Sequence, residues 1–315
     1  MAVTKLYIVV PCYNEQEALP AAAAALREKL SVMIAGGAVG GESRIVFVDD
    51  GSSDRTWSLI EGLHRADPLF RGIRLSRNAG QQNALAAGLV TLCEEADAFI
   101  TIDADLQDDV AAIDEMLRLY EDGCDVVYGV RSKRETDTFF KRAAAEGYYR
   151  VLDRLGAKVI FNHADFRLMS KRAVSAFADY RETNLFLRGL VPMIGYRHAI
   201  VTYERRERRD GKSKYTIGKM LALAWEGVTS LTNRPLKLIT RLGLIIFIIS
   251  VAMLIYTLIR YLCGATVTGW ASLAVSIWAI GGLQLLAIGV IGEYIGKIYL
   301  ETKRRPRWHI EQILE

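Results

Sequence analysis

Along the first 130 residues, short apolar runs rich in Val and Ile alternate with longer stretches whose apolar positions recur at helical spacing. Tyr7–Val10, Ile45–Val48, Gly72–Leu75, Phe99–Ile102 and Val126–Tyr128 predict strands, and the stretches around 15–33, 55–66, 80–95 and 110–121 predict amphipathic helices. This alternation predicts an α/β domain with a mostly parallel, doubly wound sheet, because parallel neighbours need a crossover that a helix supplies. Ligands of such sheets gather at the carboxyl ends of the strands. Here those ends carry Pro11–Glu15, Asp49–Asp54, Ser76–Gly80 and Asp103–Gln107, so polar side chains are concentrated where a site is expected.

The pattern changes toward the other terminus. Leu242–Ile259 has 18 residues without a charged side chain and Tyr261–Gly292 has 32, each enough to cross a hydrocarbon layer about 30 Å thick. Two membrane helices are expected, over about 238–260 and 270–293 within a segment spanning 236–298. Arg234, Lys237 and Arg241 precede the pair, Lys303, Arg304, Arg305 and Arg307 follow it, and Arg260 alone lies between, which places both flanks in the cytoplasm. Just upstream, Tyr215, Met220, Leu221, Ala224, Trp225, Val228 and Leu231 recur at helical spacing beside Lys214 and Lys219. That pattern suits an interfacial juxtamembrane helix over 213–235, with ordinary core packing as the alternative. A cytoplasmic domain over 1–212 and a cytoplasmic tail over 299–315 complete the expected organisation. The apolar run Leu6–Val10 is too short for a cleavable signal and leads into Pro11.

Composition, with 51% hydrophobic and 24% charged residues, excludes disordered and collagen-like classes. The net charge of +4 hides an uneven distribution. Residues 1–130 hold 10 Lys/Arg and 21 Asp/Glu, 131–235 hold 22 and 11, and 236–315 hold 8 and 4, giving −11, +11 and +4. An acidic half suits a cation and a basic half suits anions, with plain solvated surface as the alternative. Cys12, Cys93, Cys124 and Cys263 form no C-x-x-C pair, which fits a reducing compartment, argues against zinc and marks them as packing residues. No G-x-G-x-x-G follows the first strand, and Gly211-Lys212-Ser213 has Arg206 where a phosphate loop carries its first glycine, so dehydrogenase and P-loop classes drop out. The glycines Gly36, Gly37, Gly40 and Gly41 follow a predicted helix and read as a flexible connection. No nucleic-acid partner is expected.

Asp103-Ala104-Asp105-Leu106-Gln107 directly follows the strand Phe99–Ile102. Two carboxylates two residues apart, with an amide two further on, offer hard oxygen ligands for Mg²⁺ or Mn²⁺ shared with substrate phosphates. The alternative is a capping loop for the helix near Asp109. Asp49-Asp50-Gly51-Ser52-Ser53-Asp54 ends another strand, where acidic side chains can accept hydrogen bonds from a nucleobase or ribose, Asp54 itself reading as a helix cap.

Val9-Val10-Pro11-Cys12-Tyr13-Asn14-Glu15, Val48-Asp49-Asp50-Gly51-Ser52-Ser53-Asp54, Arg77-Asn78-Ala79-Gly80 continuing to Ala84 and Gly88, and the Asp103–Gln107 element together resemble the family-two glycosyltransferases of GT-A fold, a Rossmann-like, mostly parallel architecture. The likeness extends over essentially the whole chain. His163-Ala164-Asp165-Phe166-Arg167-Leu168-Met169, Phe186-Leu187-Arg188-Gly189-Leu190 and Arg205-x-x-Arg208-x-x-Gly211-x-Ser213-Lys214-Tyr215, followed by a two-helix anchor, resemble the polyprenyl-phosphate glycosyltransferases, the group of dolichol-phosphate mannose synthases and bactoprenol glucosyltransferases. Relatives often carry prolines where Asp108-Asp109-Val110 stands here.

The resemblance implies a nucleotide-sugar pocket formed by Pro11, Tyr13, Glu15, Val48, Asp50, Ala104 and Gln107. It implies a metal held by Asp103, Asp105 and Gln107, and a catalytic set of Asp103, Asp105, Asp165 and Arg131. Arg131, Arg134, Arg205, Arg208, Ser213 and Lys214 are expected to meet the acceptor phosphate through charge-assisted hydrogen bonds. The implied reaction is inverting transfer of a hexose from a nucleotide sugar, with UDP-glucose or a similar UDP-hexose preferred and GDP-mannose next, to polyprenyl (undecaprenyl) phosphate in the bacterial inner membrane. A homo-oligomer, a tetramer in relatives, is also implied, with Gly281, Gly282, Gly289 and Gly292 permitting close helix packing. A phosphate monoester with a second pKa of about 6 is largely ionised at neutral pH, so Asp165 is expected to orient the acceptor or Arg167; a plain salt bridge with Arg167 is its structural alternative. Two rivals differ in class. A processive polysaccharide synthase should show a Q-x-x-R-W element and more membrane helices, neither of which is found, and a membrane-tethered nucleotide-sugar sensor or scaffold would bind donor without consuming it.

Overall fold

The computed structural model describes residues 3–105, 107–131, 163–183, 185–204, 234–262 and 269–315. The Val- and Ile-rich runs form β1 (Leu6–Cys12), β2 (Arg44–Asp49), β3 (Phe70–Leu75), β4 (Ala98–Thr101) and β5 (Val126–Arg131), and the amphipathic stretches form α1 (Leu19–Ala35), α2 (Thr56–Ala66), α3 (Gln81–Leu92) and α4 (Ala112–Glu121). Further along lie β6 (His163–Ser170), α5 (Lys171–Ala178), α6 (Leu187–Met193), β7 (His198–Tyr203), α7 (Arg234–Leu262), α8 (Trp270–Lys303) and β8 (Ile310–Leu314). The described residues divide into two compact units, one holding the sheet and the other holding 234–304.

The strands lie in the order β7-β5-β6-β4-β1-β2-β3-β8. β1 is parallel to β2 and β4, β2 to β3, and β5 to β7, while β6 and β8 run antiparallel to their neighbours. The expected mostly parallel sheet is therefore present, with two antiparallel insertions. β1 is buried along its whole length, as a strand covered on both faces must be. Leu6, Ile8 and Val10 join a core with α1, α2 and α4 residues on one face, and Tyr7 and Val9 join a second core with α3, α5 and α6 residues on the other. α3 approaches especially closely: a Cβ on Gly88 would sit 2.8 Å from methyl groups of both Val9 and Val48.

Residues 299–315, expected as a plain tail, take part in the fold. α8 runs to Lys303, Arg304 adopts a left-handed conformation (φ 47°), and β8 adds an antiparallel edge to β3 with Ile73 opposite Ile313. Trp308 and Ile310 pack against the α3-side core, Arg307 donates to the carbonyls of Tyr180 and Glu182 at 3.2 and 3.4 Å, and the Ser76 amide donates to the His309 carbonyl at 2.9 Å. The sheet unit is thus discontinuous in sequence. Gly36 and Gly37 (φ 71°) are also more than a loose connection, because the turn they make lets the Ala38 amide donate to the Met33 carbonyl at 2.9 Å and so closes α1.

In the second unit, α7 and α8 are 29 and 34 residues long. α7 runs past the expected 238–260 at both ends, and α8 runs past the expected 270–293 at its C-terminal end. Leu244, Ile248, Ile255, Ile277, Leu285 and Ile288 are exposed on them. Among the described residues one stretch, Ile280–Lys303, is long and apolar enough to cross a membrane. The proposed interfacial helix lies outside the described residues up to 233.

Candidate functional site

The four polar strand ends converge on one cavity of about 280 Å³. The end of β1 contributes Pro11, Cys12, Tyr13 and Glu15, and the end of β2 contributes Asp50. The loop after β3 brings Asn78 and Gly80 with Gln81 of α3, and the end of β4 brings Asp103, Ala104 and Asp105. Parallel pairing is the reason: register aligns Cys12 with Asp49 and Val9 with Thr101, so all four exits open at one edge.

The rim is braced by side-chain bonds to backbone. Asp50, 2% exposed, accepts the Ala79 amide on one oxygen at 2.7 Å and the Gly80 amide on the other at 2.9 Å. Burial pushes its carboxyl above the usual range while these two bonds work in the opposite direction. Gly51 adopts φ 67°, and a Cβ there would lie 2.6 Å from the Arg77 carbonyl carbon and 2.7 Å from the Asn78 nitrogen, so the Asp50 and Asn78 loops can touch only through glycine. Asn14, itself left-handed at φ 53°, accepts the Ser53 amide at 2.9 Å and donates its own amide to Ser52 at 2.9 Å. Asp54, expected to cap α2, stands one residue before its N-cap, Arg55, and accepts the Thr56 amide at 2.9 Å. Burial raises the Cys12 thiol well above its ordinary pKa, which keeps it a packing group although it faces the cavity.

At the β4 end, Asp103 accepts from the Gln81 side chain at 2.7 Å, and Asp105 accepts the Gln107 amide at 3.2 Å. Burial, with the negative charges of Asp165, Asp108 and Asp105 adding to it and Arg131 opposing, pushes the Asp103 carboxyl up to about 7. Among the described residues no group of three or more His, Cys, Asp or Glu could hold a metal by itself. Two hard carboxylates in a surplus of negative charge fit a divalent cation whose remaining ligands come from substrate oxygens. Asp109 accepts the Ala111 amide at 3.2 Å in the turn before α4, whose own N-cap, Ala111, makes no side-chain cap bond.

Asp165, on β6 beside β4, accepts from Arg167 at 2.8 Å and from two nitrogens of Arg188 at 3.1 and 3.2 Å. Arg167 is 1% exposed and also donates to the Leu187 carbonyl at 3.3 Å. Its guanidinium is pulled below its ordinary value by burial, against the pull of Asp165. The expected Asp165–Arg167 contact is present, with Arg188 added to it. Gln82 accepts the Leu187 amide at 2.7 Å, so neighbouring glutamines of α3 hold the Asp103 loop and the start of α6. Arg131 ends β5, where Asp108 accepts from its Nη2 at 3.2 Å and its Nε at 3.4 Å.

Pro11, Tyr13, Glu15, Asp50, Asp103, Ala104 and Asp105 of the expected set line the cavity together, and Gln107 is buried and is not among the lining residues. Val48 does not belong there. Its side chain is 0% exposed and packs under Gly88 in the α3-side core, because successive strand residues face opposite sides. Arg134, Arg205, Arg208, Ser213 and Lys214 lie outside the described residues. Gln81, Asp108, Arg188 and Tyr203 were not anticipated. Arg188 stood inside a recognised motif and Gln81 directly after one, while Tyr203 carried no signal before β7 was seen to pair with β5.

The profile of Glycosyl transferase family 2 matches residues 7–177. The chain is 49% identical to the uncharacterized glycosyltransferase YkoT of Bacillus subtilis over 97% of this chain and 91% of that protein. It is 40% identical to the bactoprenol glucosyl transferase of Shigella phage SfX over 98% of this chain and 99% of that protein. A crystal structure of glucosyl-3-phosphoglycerate synthase from Mycobacterium tuberculosis is similar at a TM-score of 0.46 and 16% identity, covering 72% of this chain and 77% of that one.

Proposed function

The chain belongs to glycosyl transferase family 2, and from that premise we propose that it transfers a hexose, glucose from UDP-glucose in first preference, to polyprenyl phosphate with inversion at the anomeric carbon. The observation that carries this reading is the meeting of nucleotide-compatible acidic loops with the Asp103–Asp105 carboxylates in one strand-end cavity. The likeness to a bactoprenol glucosyl transferase over nearly the whole of both chains supports the acceptor.

Pro11, Tyr13, Glu15 and Asp50 would receive the nucleoside. Asp103, Asp105 and Gln107 would hold Mg²⁺ or Mn²⁺, which when bound supplies positive charge to the departing nucleoside diphosphate. An acceptor phosphate oxygen forms the new bond to the anomeric carbon while the bond to the diphosphate breaks. Because that phosphate is already ionised, no side chain need take a proton. Arg131 would offer its guanidinium to the acceptor phosphate, and Asp165, bonded to Arg167 and Arg188, would orient the acceptor or Arg167. Arg134, Arg205, Arg208, Ser213 and Lys214 remain the proposed further acceptor contacts.

An isoprenoid acceptor stays in the bilayer, so the enzyme must be held there; α7 and α8 are the proposed two-crossing anchor. The chain leaves the sheet unit ahead of α7 and supplies β8 to the same sheet afterwards, and two crossings return a chain to the side it left. We place the sheet unit on the cytoplasmic face of the inner membrane, with oligomerisation through the helices.

Full-length protein in detergent, given UDP-glucose and undecaprenyl phosphate with Mg²⁺ or Mn²⁺, should form a glucose-linked lipid. Asp105→Asn should lower turnover at least ~100-fold. Donor binding without consumption would establish the sensor reading, undiminished turnover by Asp105→Asn would refute the metal assignment, and product from GDP-mannose alone would replace glucose with mannose.

A further inference from the structure

We infer that Asp108 and Tyr203 are positioning residues that hold Arg131 in place for the acceptor phosphate, an inference that rests on the proposed acceptor and assigns these two residues a part in binding it. Three carboxyl-end positions meet here. Arg131 and Tyr203 are the last residues of β5 and β7 and are partners in the parallel register, and Asp108 enters from the loop after β4. One oxygen of Asp108 accepts from Arg131 Nε, from Arg131 Nη2 and from the Tyr203 hydroxyl. Its other oxygen is buried without a hydrogen-bond partner.

That distribution is poor design for stability alone. A structural Arg–carboxylate pair gains most from a fork in which both oxygens accept, and a buried oxygen left unmatched is unfavourable. What the arrangement secures is direction. Asp108 is 1% exposed and Tyr203 5%, whereas the Arg131 side chain is 23% exposed, so two buried groups grip one edge of a guanidinium that reaches solvent. The grip is rigid at its base. The Tyr203 ring meets Phe166 edge-on at 5.3 Å, and a Cβ on Gly129 would come within 3.0 Å of both rings. A guanidinium whose rotamer is settled in advance loses less freedom on meeting a phosphate than one that must first be ordered. Asp108 directly follows Gln107 in the chain, which places the clamp beside the proposed metal-binding loop.

The test uses full-length protein in detergent, with undecaprenyl phosphate binding measured by calorimetry in the absence of donor and steady-state kinetics measured with UDP-glucose. Asp108→Asn should weaken acceptor binding and raise acceptor KM about tenfold while donor KM stays within about twofold, and Tyr203→Phe should give a smaller change in the same direction. The double variant Asp108→Asn/Arg131→Ala should bind acceptor no more weakly than Arg131→Ala alone, because Asp108 acts through Arg131. Additive losses, or equal changes in both KM values, would overturn the inference. Should Asp108→Asn fail to fold, Tyr203→Phe, which removes a single hydroxyl, decides the matter by the same criteria. Unaltered protein that neither binds nor glycosylates the lipid overturns the functional reading and this inference with it, whereas active unaltered protein with unaffected variants overturns only the inference.

Discussion

Replacing Asp50 by Asn probes the rim of the cavity with a change of one atom type. Asp50 is 2% exposed, and each of its oxygens accepts a backbone amide, from Ala79 at 2.7 Å and from Gly80 at 2.9 Å. Asparagine keeps one acceptor and turns an NH₂ group toward the second amide, so a charge-assisted bond is lost and a buried donor is left facing a donor. The lost bond and the unpaired donor together cost about 3–4 kcal/mol. Relief of the burial penalty that already raises the Asp50 pKa returns part of this, leaving a net loss of about 2 kcal/mol. For a unit of this size that corresponds to a fall in Tm of about 4–8 °C. Because Asn78 and Gly80 line the cavity from the released loop, donor KM should rise about tenfold while acceptor KM holds. Thermal unfolding in detergent and donor titration read the two effects. A Tm within about 1 °C of the unaltered protein, together with unchanged donor KM, would refute the claim that Asp50 braces this loop.

Other substitutions separate packing from chemistry. Gly88→Ala forces a methyl to 2.8 Å from Val9 and Val48 and should cost about 1–3 kcal/mol by denaturant unfolding with no change in donor KM. Asp54 is pushed up by burial, but its bonds from Thr56 and Gln16 prevail and hold its carboxyl below the usual range. A folded pKa beneath the unfolded one means a stabilising contribution that is present above about pH 4 and lost as pH falls through the folded value. Asp54→Asn should therefore flatten the acid limb of the stability–pH curve and cost about 1 kcal/mol near neutrality. Trp308→Ala should loosen β8, lowering stability by about 2 kcal/mol and speeding hydrogen exchange at the Ser76 amide, which the His309 carbonyl protects; unchanged exchange at Ser76 would show that the segment after α8 does not secure that loop.

Much of the site was legible in the chain before its fold was known, for a physical reason. Parallel strands share a direction, so the polar residues that end β1, β2, β3 and β4 must open on the same edge, and the two-residue spacing of Asp103 and Asp105 already marked a pair of hard ligands there. Where the reading failed, it failed on face and on distance. Val48 sits one residue before the polar strand end, but alternation turns its side chain into the core. β8 was missed because five residues after two long apolar helices give no sign of which sheet edge they will join. Much of the basic half, including Arg134 and 205–214, lies outside the described residues, so its expected meeting with phosphate stands as a proposal.

Periodicity and spacing within a few neighbouring residues were enough for the strand–helix alternation, the strand ends that carry chemistry, the D-x-D pair and two apolar helices. Only folding brought Asp50 to the amides of another loop, Arg188 to the carboxylate it shares with Arg167, and Asp108 and Tyr203 to their grip on Arg131. Those contacts join residues 2 to 95 positions apart in the chain. Even the shortest, Asp165 with Arg167, takes its chemistry from burial against α6, and burial is a property of the assembled fold.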